Sequence, residues 1–187
     1  MATLGNQKSR RRPFIEHAAP GVRLVLVLLT QGSFASSAEA PTEYEVKAAL
    51  LYNFGRFVQG PDSGDTLLVC VLGEDPFGPV LDKMLEGKTA EARKLHVRRL
   101  RRSQEGEACQ ILFVSSSEYE HLPQILAELD GRSVLTVGDT PEFARRGGMI
   151  SFQLEQNRVR IHVNLRAAEG ARLVISSQLL KLAAVDR

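Results

Sequence analysis

The stretch Leu67-Leu68-Val69-Cys70-Val71-Leu72-Gly73-Glu74-Asp75-Pro76 decides the fold. A run with no alternation between polar and apolar positions reads as a strand covered on both faces, as in a parallel sheet held between two layers of helices. Gly73 ends the strand. Asp75-Pro76 then opens a helix to about Leu85, because the carboxylate accepts backbone amides and proline suits the first helical position.

The same grammar extends in both directions. Upstream, Val46, Leu50, Phe54 and Phe57 recur at helical spacing within Glu43 to Phe57, with Thr42 as the capping residue, and Gln59 to Gly64 reads as a turn. Downstream, strands are expected at Leu95 to Leu100, Cys109 to Ser115 and Val134 to Gly138, with a helix at Glu118 to Leu129. Gly148 to Leu154 and Arg158 to Leu165 alternate apolar and other residues around Glu155-Gln156-Asn157, the pattern of a β-hairpin. A final helix from Ser177 to Ala184 is expected to return Leu179, Leu180 and Leu182 to the core. Apolar strands alternating with helices give an α/β fold. The architecture expected is a single three-layer domain with a mostly parallel sheet flanked by helices and a C-terminal β-hairpin.

Ahead of this domain, the basic cluster Arg10 to Arg12, the short apolar run Val22 to Leu29 and a small-residue stretch ending at Ala40 read as an export signal. The apolar run is far below the roughly 20 residues of a membrane span. Ser36 and Ala38 fit signal-peptidase cleavage after Ala38, so residues 1–38 form the leader and 39–187 the mature domain. Arg11-Arg12-Pro13-Phe14-Ile15 also resembles a twin-arginine signal; the alternative is an ordinary secretory leader preceded by extra residues. The leader carries Lys8, Arg10, Arg11, Arg12, Arg23 and Glu16, so of 24 basic and 22 acidic residues the mature chain keeps 19 and 21. The basic pI therefore belongs to the leader, and overall charge gives no argument for a nucleic-acid partner. Outside the inner membrane there is also no ATP or NADH pool to drive chemistry.

Catalytic patterns are sparse. There is no Gly-x-Ser-x-Gly elbow, phosphate loop or His-Glu-x-x-His helix, and His17, His96, His121 and His162 show no metal-ligand spacing. Ser115-Ser116-Ser117 follows an apolar strand, where open α/β sheets present ligand loops. The choice there lies between a nucleophile served by His96 or His121 and a helix cap by Ser117. Gly73 to Gly78 and Gly138-Asp139-Thr140-Pro141-Glu142 could each receive an anion at a helix start, but their own carboxylates occupy that position, which favours capping. Arg98, Arg99, Arg101 and Arg102 read as a solvated strand edge or, alternatively, as a docking patch for an acidic surface. Cys70 and Cys109 lie in strands that the usual doubly wound order makes neighbours, so in an oxidising compartment they form either a disulfide or two buried thiols.

Three blocks of the mature chain resemble the YfiR-like family of periplasmic proteins: Tyr44-Glu45-Val46-Lys47-Ala48-Ala49-Leu50-Leu51-Tyr52-Asn53-Phe54, Cys70 to Gly78, and a closing set. The closing set comprises Gly148-Met149-Ile150-Ser151-Phe152, Asn157-Arg158-Val159-Arg160 and Ile175 to Ala183. Gly60-Pro61 stands where such proteins usually have Trp-Pro. The resemblance implies a regulatory rather than catalytic role without cofactor or metal. It implies a homodimeric periplasmic repressor that binds the periplasmic part of an inner-membrane diguanylate cyclase and lowers cyclic-di-GMP signalling, and with it biofilm formation. An outer-membrane peptidoglycan-binding lipoprotein is implied as the protein that relieves it. The alternatives are a ligand-sensing module acting on a sensor histidine kinase and a periplasmic hydrolase built on Ser115 to Ser117. For partner contact, the candidates are Tyr44, Leu51, Tyr52 and Phe57 on the first helix and Arg158, Arg160 and His162 on the polar side of the hairpin.

Overall fold

A computed structural model describes residues 40–60 and 64–186. The leader expected over residues 1–38 and positions 61–63 of the expected turn lie outside them. The chain runs α1 (Glu43–Phe57), β1 (Val58–Gln59), β2 (Thr66–Leu72), α2 (Pro79–Leu85), β3 (Thr89–Ala90), β4 (Arg93–Leu100) and β5 (Ile111–Val114). It continues through α3 (Leu122–Glu128), β6 (Leu135–Gly138), β7 (Ile150–Glu155), β8 (Arg158–Asn164), α4 (Leu165–Gly170), β9 (Val174–Ile175), α5 (Ser177–Leu180) and β10 (Ala183–Asp186). One sheet of eight strands is ordered β10-β8-β7-β6-β5-β2-β4-β3, and β1 pairs with β9 apart from it. In the eight-stranded sheet the central strands are parallel and the antiparallel ladders are β7–β8 and β3–β4; the separate β1–β9 pair is antiparallel as well. The fold is therefore α/β with a mostly parallel sheet, as the apolar run at Leu67 implies.

Two cores flank the sheet. One gathers Ala48, Leu51 and Phe54 of α1, Leu81 and Leu85 of α2 and Leu179 of α5 against Val69, Val71, Phe113, Val137, Ile150 and Phe152. The other sets Leu122 and Ile125 of α3, with Phe143, against Cys70, Leu72, Leu112 and Val114. Residues of opposite parity on β2 feed opposite cores, which is why its sequence shows no alternation.

Several expectations are corrected. The buried side of α1 is Lys47, Ala48, Leu51, Phe54 and Gly55, rotated from the stripe through Val46, Leu50 and Phe57. Its start matches expectation: the Thr42 hydroxyl accepts from Glu45 N–H, and Glu45 returns a carboxylate to Thr42 N–H at 2.7 Å, a capping box. The helix expected from Asp75 begins at Pro79, because Asp75 closes a local turn by accepting Phe77 N–H at 2.8 Å. The helix expected from Glu118 is entered through a 3-10 segment at Ser116–His121. Ser117 is not its cap: the Ser117 hydroxyl accepts from Glu74 N–H at 2.9 Å.

The final helix ends at Leu180, and Ala183–Asp186 instead runs parallel to β8, pairing Ala183 with Ile161 and Val185 with Val163. This strand gives partners to backbone groups that β8 would otherwise leave bare. Leu179 is buried as expected, whereas Leu182 is 70% exposed. Arg98 and Arg99 lie on β4, the second strand from the edge, and Arg101 and Arg102 in the bend after it; β3 covers only Arg93 and Lys94.

Cys70 and Cys109 are disulfide-bonded across the neighbouring β2 and β5 segments, with α-carbons 6.1 Å apart. Both are buried. Closing a loop between residues 39 apart in sequence restricts the unfolded chain, so replacing both cysteines by alanine is expected to cost about 3 kcal/mol. Urea unfolding of the oxidised protein against the double variant measures this; equal midpoints would show that the bond adds nothing.

Candidate functional site

In an open α/β sheet, ligands bind beyond the carboxyl ends of the strands where the strand order reverses. Here that position lies between the ends of β2 and β5, and the chain's own atoms fill it. Gly73 adopts φ +89°, and a β-carbon on it would collide with the Ser117 hydroxyl and the Glu118 side chain. Ser115 is buried, Ser117 is engaged by Glu74 N–H, and His121 Nδ1 sits 3.3 Å from the Glu118 carboxylate. The serine run thus closes the crevice. Among the described residues, no group of three His, Cys, Asp or Glu side chains is placed to hold a metal ion.

Beside it, beyond β6, lies a buried charge cluster. Lys47 is 3% exposed and its Nζ lies 2.6 Å from Asp139 Oδ2 and 2.5 Å from Glu43 Oε1. The Tyr44 hydroxyl donates to the same Asp139 oxygen at 3.1 Å, and the Lys47 ammonium stands 4.4 Å from the Tyr44 ring centre. Burial alone would lower the Lys47 pKa, but the hydrogen bonds it donates to Asp139 and Glu43 outweigh that and raise it. Burial, followed by the charge of Asp139, raises that of Tyr44. The arrangement pins α1 to the end of β6; the ammonium is fully committed and is no free base. Sequence periodicity did not single it out, although Lys47 interrupting a buried helix face was the available signal, with Asp139 the first carboxylate after β6.

Of the four candidates on α1, Leu51 is fully buried in the core and Tyr44 is held by Asp139 and edge-on to Phe77 at 5.4 Å. Leu51 is closed to a partner, whereas Tyr44 is half-buried. Tyr52 is half-buried, with its hydroxyl 3.4 Å from Thr89 O and Lys88 over its ring; Phe57 is half-buried beside Arg56. These two keep exposed ring surface.

The hairpin candidates are brought together. Register pairs Ser151 with His162, Gln153 with Arg160 and Glu155 with Arg158, and His162 with Ala184 of β10. All share one face of the sheet, opposite the one that Phe152, Ile161 and Val163 turn to the core. Glu155 sits between Arg160 at 3.8 Å and His162 at 3.6 Å, while Arg158 is exposed. The α3 layer stops short of these strands. Between them and the segment after β6 lies a cleft of about 490 Å³ lined by Glu142, Arg145, Ser151, Gln153 and His162. The Ser151 hydroxyl there is buried without a hydrogen-bond partner. Asn164, at the end of the same strand, is used structurally: it caps α4 by accepting Ala167 N–H and donates to Ala144 O.

No helix among the described residues is long and apolar enough to cross a membrane. No curated protein matches the sequence. A solved structure described as a conserved domain protein from Vibrio cholerae O1 biovar El Tor aligns with a TM-score of 0.56 at 12% identity, covering 78% of this chain and 60% of that one. That likeness concerns the fold, and the chain spans less than two thirds of its length. A second, an ABC domain in complex with L-Trp from Streptococcus pneumonia, aligns at 9% identity with a TM-score of 0.49, covering 72% and 58% of the two chains, too distant to add to the comparison. The YfiR/HmsC-like family model matches residues 44–184, which include both faces of the sheet, the Cys70–Cys109 bond and the hairpin. The chain belongs to the YfiR/HmsC-like family.

Proposed function

We propose that this chain is an exported regulator of cyclic-di-GMP signalling that acts by stoichiometric binding: its mature domain, beginning near Glu39, holds the periplasmic part of an inner-membrane diguanylate cyclase inactive. The observation that carries this reading is the family match over almost the whole described domain. The geometry supports it from the other side. The crevice where an α/β enzyme would hold substrate is filled by Ser117 and Glu118, while the hairpin presents an uncovered polar face. Contact through Arg158, Arg160 and His162, supplemented by Tyr52 and Phe57 and by self-association into a homodimer, fits a protein that works by covering a partner. Relief by an outer-membrane peptidoglycan-binding lipoprotein belongs to the same reading.

Deleting the chain is expected to raise cellular cyclic-di-GMP severalfold and increase biofilm. Restoring the wild-type chain reverses this, and restoring an Arg158→Glu, Arg160→Glu double variant does not, although that variant still folds cooperatively, with a melting temperature lowered slightly by the new carboxylates beside Glu155. Cyclic-di-GMP unaffected by deletion under biofilm-forming conditions would remove the proposal.

One observation favours a second reading, a ligand-sensing module acting on a sensor kinase: the cleft floored by the unpaired, buried Ser151 hydroxyl. A metabolite bound there would raise the melting temperature in proportion to its concentration over Kd. A thermal-shift screen separates the two readings.

A further inference from the structure

Strand β4, next to the edge strand β3, carries a run of exposed positive charge. On β4, Lys94, His96 and Arg98 point to one face, because side chains alternate along a strand, and all three are exposed. Leu95 and Val97 point the other way into the core beneath α1 and α2. Arg99 faces that second side and is committed structurally, with Nε 2.9 Å from Asp75 and Nη1 2.7 Å from Asp82, bonds that raise its pKa. Just beyond the strand, Glu105 draws Arg102 to 3.0 Å and Arg98 to 3.6 Å. Arg101 is exposed and forms no ion pair among the described residues. Lys94 and Arg98 on one face of β4, with His96 between them, and Arg101 and Arg102 in the bend directly after the strand therefore gather four exposed positive charges, two of which share the Glu105 carboxylate.

The residues that carry most of the energy of protein–protein contacts are commonly buried aromatic or apolar anchors. This stripe has none: the large exposed apolar residues among the described ones are Tyr119, Leu154, Val174 and Leu182, all outside it. What complements a row of long cationic side chains without an anchor is a delocalised anionic plane. We propose that the Lys94–Arg102 stripe holds the protein against anionic phospholipid headgroups of the membrane surface. The choice of a phospholipid surface rests on the exported reading above; the charge pattern itself does not. Held this way, the chain searches for an inner-membrane partner along a surface rather than through a volume, raising its effective concentration without adding any contact to the interface.

The test is co-sedimentation of the purified mature protein with phosphatidylcholine vesicles made with and without phosphatidylglycerol. Binding is expected only when phosphatidylglycerol is present and falls as salt is raised. The triple variant Arg98→Gln, Arg101→Gln, Arg102→Gln is expected to weaken it by roughly fivefold per arginine. A control triple, Lys83→Gln, Arg166→Gln, Lys181→Gln, changes net charge equally at exposed sites elsewhere and is expected to keep most of the binding; melting curves verify that both variants fold. No binding to anionic vesicles at low salt, or equal loss in both triples, overturns the proposal and leaves the stripe as a solvated edge. So does a stripe variant that loses crosslinking to a membrane protein while wild type ignores vesicles, because the stripe then fits an acidic protein surface. Vesicle binding is read without any cyclase, so its failure is distinguishable from failure of the regulatory reading.

Discussion

Asp139→Ala is expected to lower the unfolding free energy by about 3 kcal/mol, the lower end of the range for stranding one partner of a buried ion pair. The loss leaves the 3%-exposed Lys47 ammonium with Glu43 alone and removes the acceptor of the Tyr44 hydroxyl. The end of α1 at which the family match begins would then be held by apolar contacts only. A double variant, Lys47→Met with Asp139→Leu, no longer buries an unpaired charge and is expected to recover most of the loss, as apolar replacement of buried pairs often does. Urea unfolding of Lys47→Met, Asp139→Leu and the double variant completes the cycle; a double variant as unstable as the sum of these two singles would show that shape rather than charge pairing governs this site. The pH dependence follows from the raised Lys47 pKa. Stability from this group is complete below the unfolded lysine pKa and is lost as pH rises through the folded value, so the lysine's own contribution is full at neutral pH and falls away in strong alkali. The raised Tyr44 pKa acts in the same direction.

Phe143→Ala is expected to cost about 3–5 kcal/mol, as for other fully buried phenylalanines. The ring is 0% exposed and lies against Gly138 at the end of β6 and Gly148 ahead of β7. A β-carbon at either glycine would overlap the ring. Neither position is marked by a positive φ, so close approach rather than backbone conformation requires the glycines. Gly138→Ala and Gly148→Ala should each cost about 1–3 kcal/mol by overpacking. Because both act on one ring, the loss from Gly138→Ala should be smaller in a Phe143→Leu background, a coupling that thermal melts of the four variants detect. This packing sets the path of the segment from Asp139 to Gly147, one wall of the cleft that His162 and Ser151 line. A loosened Phe143 is therefore expected to disturb that face as well as the core.

The apolar run at Leu67 was enough to read a parallel α/β sheet, because a strand buried on both faces has no other composition open to it. The hairpin was equally legible: strict alternation around Glu155-Gln156-Asn157 fixes which side chains share a face, and Gln156 and Asn157 take the positive φ that a tight turn requires. Local signals failed where a tertiary partner decides. Leu182 to Ala184 reads as the end of an apolar helix until the bare edge of β8 is present to pair with it. Asp75 reads as a helix cap until Arg99, 24 residues later, draws its second carboxylate oxygen. The face of α1 was misplaced because Lys47 looks like a solvent position, and only Asp139, 92 residues away, makes it an interior one. The candidate site divides in the same way. Arg158, Arg160 and His162 share a face by strand periodicity alone, whereas the burial of Leu51 and the engagement of Tyr44 depend on elements far along the chain.

The central claim is that the exported domain acts by binding a membrane signalling enzyme. Its most direct test is in vivo crosslinking of the tagged protein, expressed at native level with its leader intact, followed by mass spectrometry of what co-purifies. The account predicts recovery of an inner-membrane diguanylate cyclase, with crosslinks on the face that carries Arg158, Arg160 and His162, lost in the Arg158→Glu, Arg160→Glu variant. Recovery of no specific membrane protein would contradict it, as would crosslinks confined to other faces.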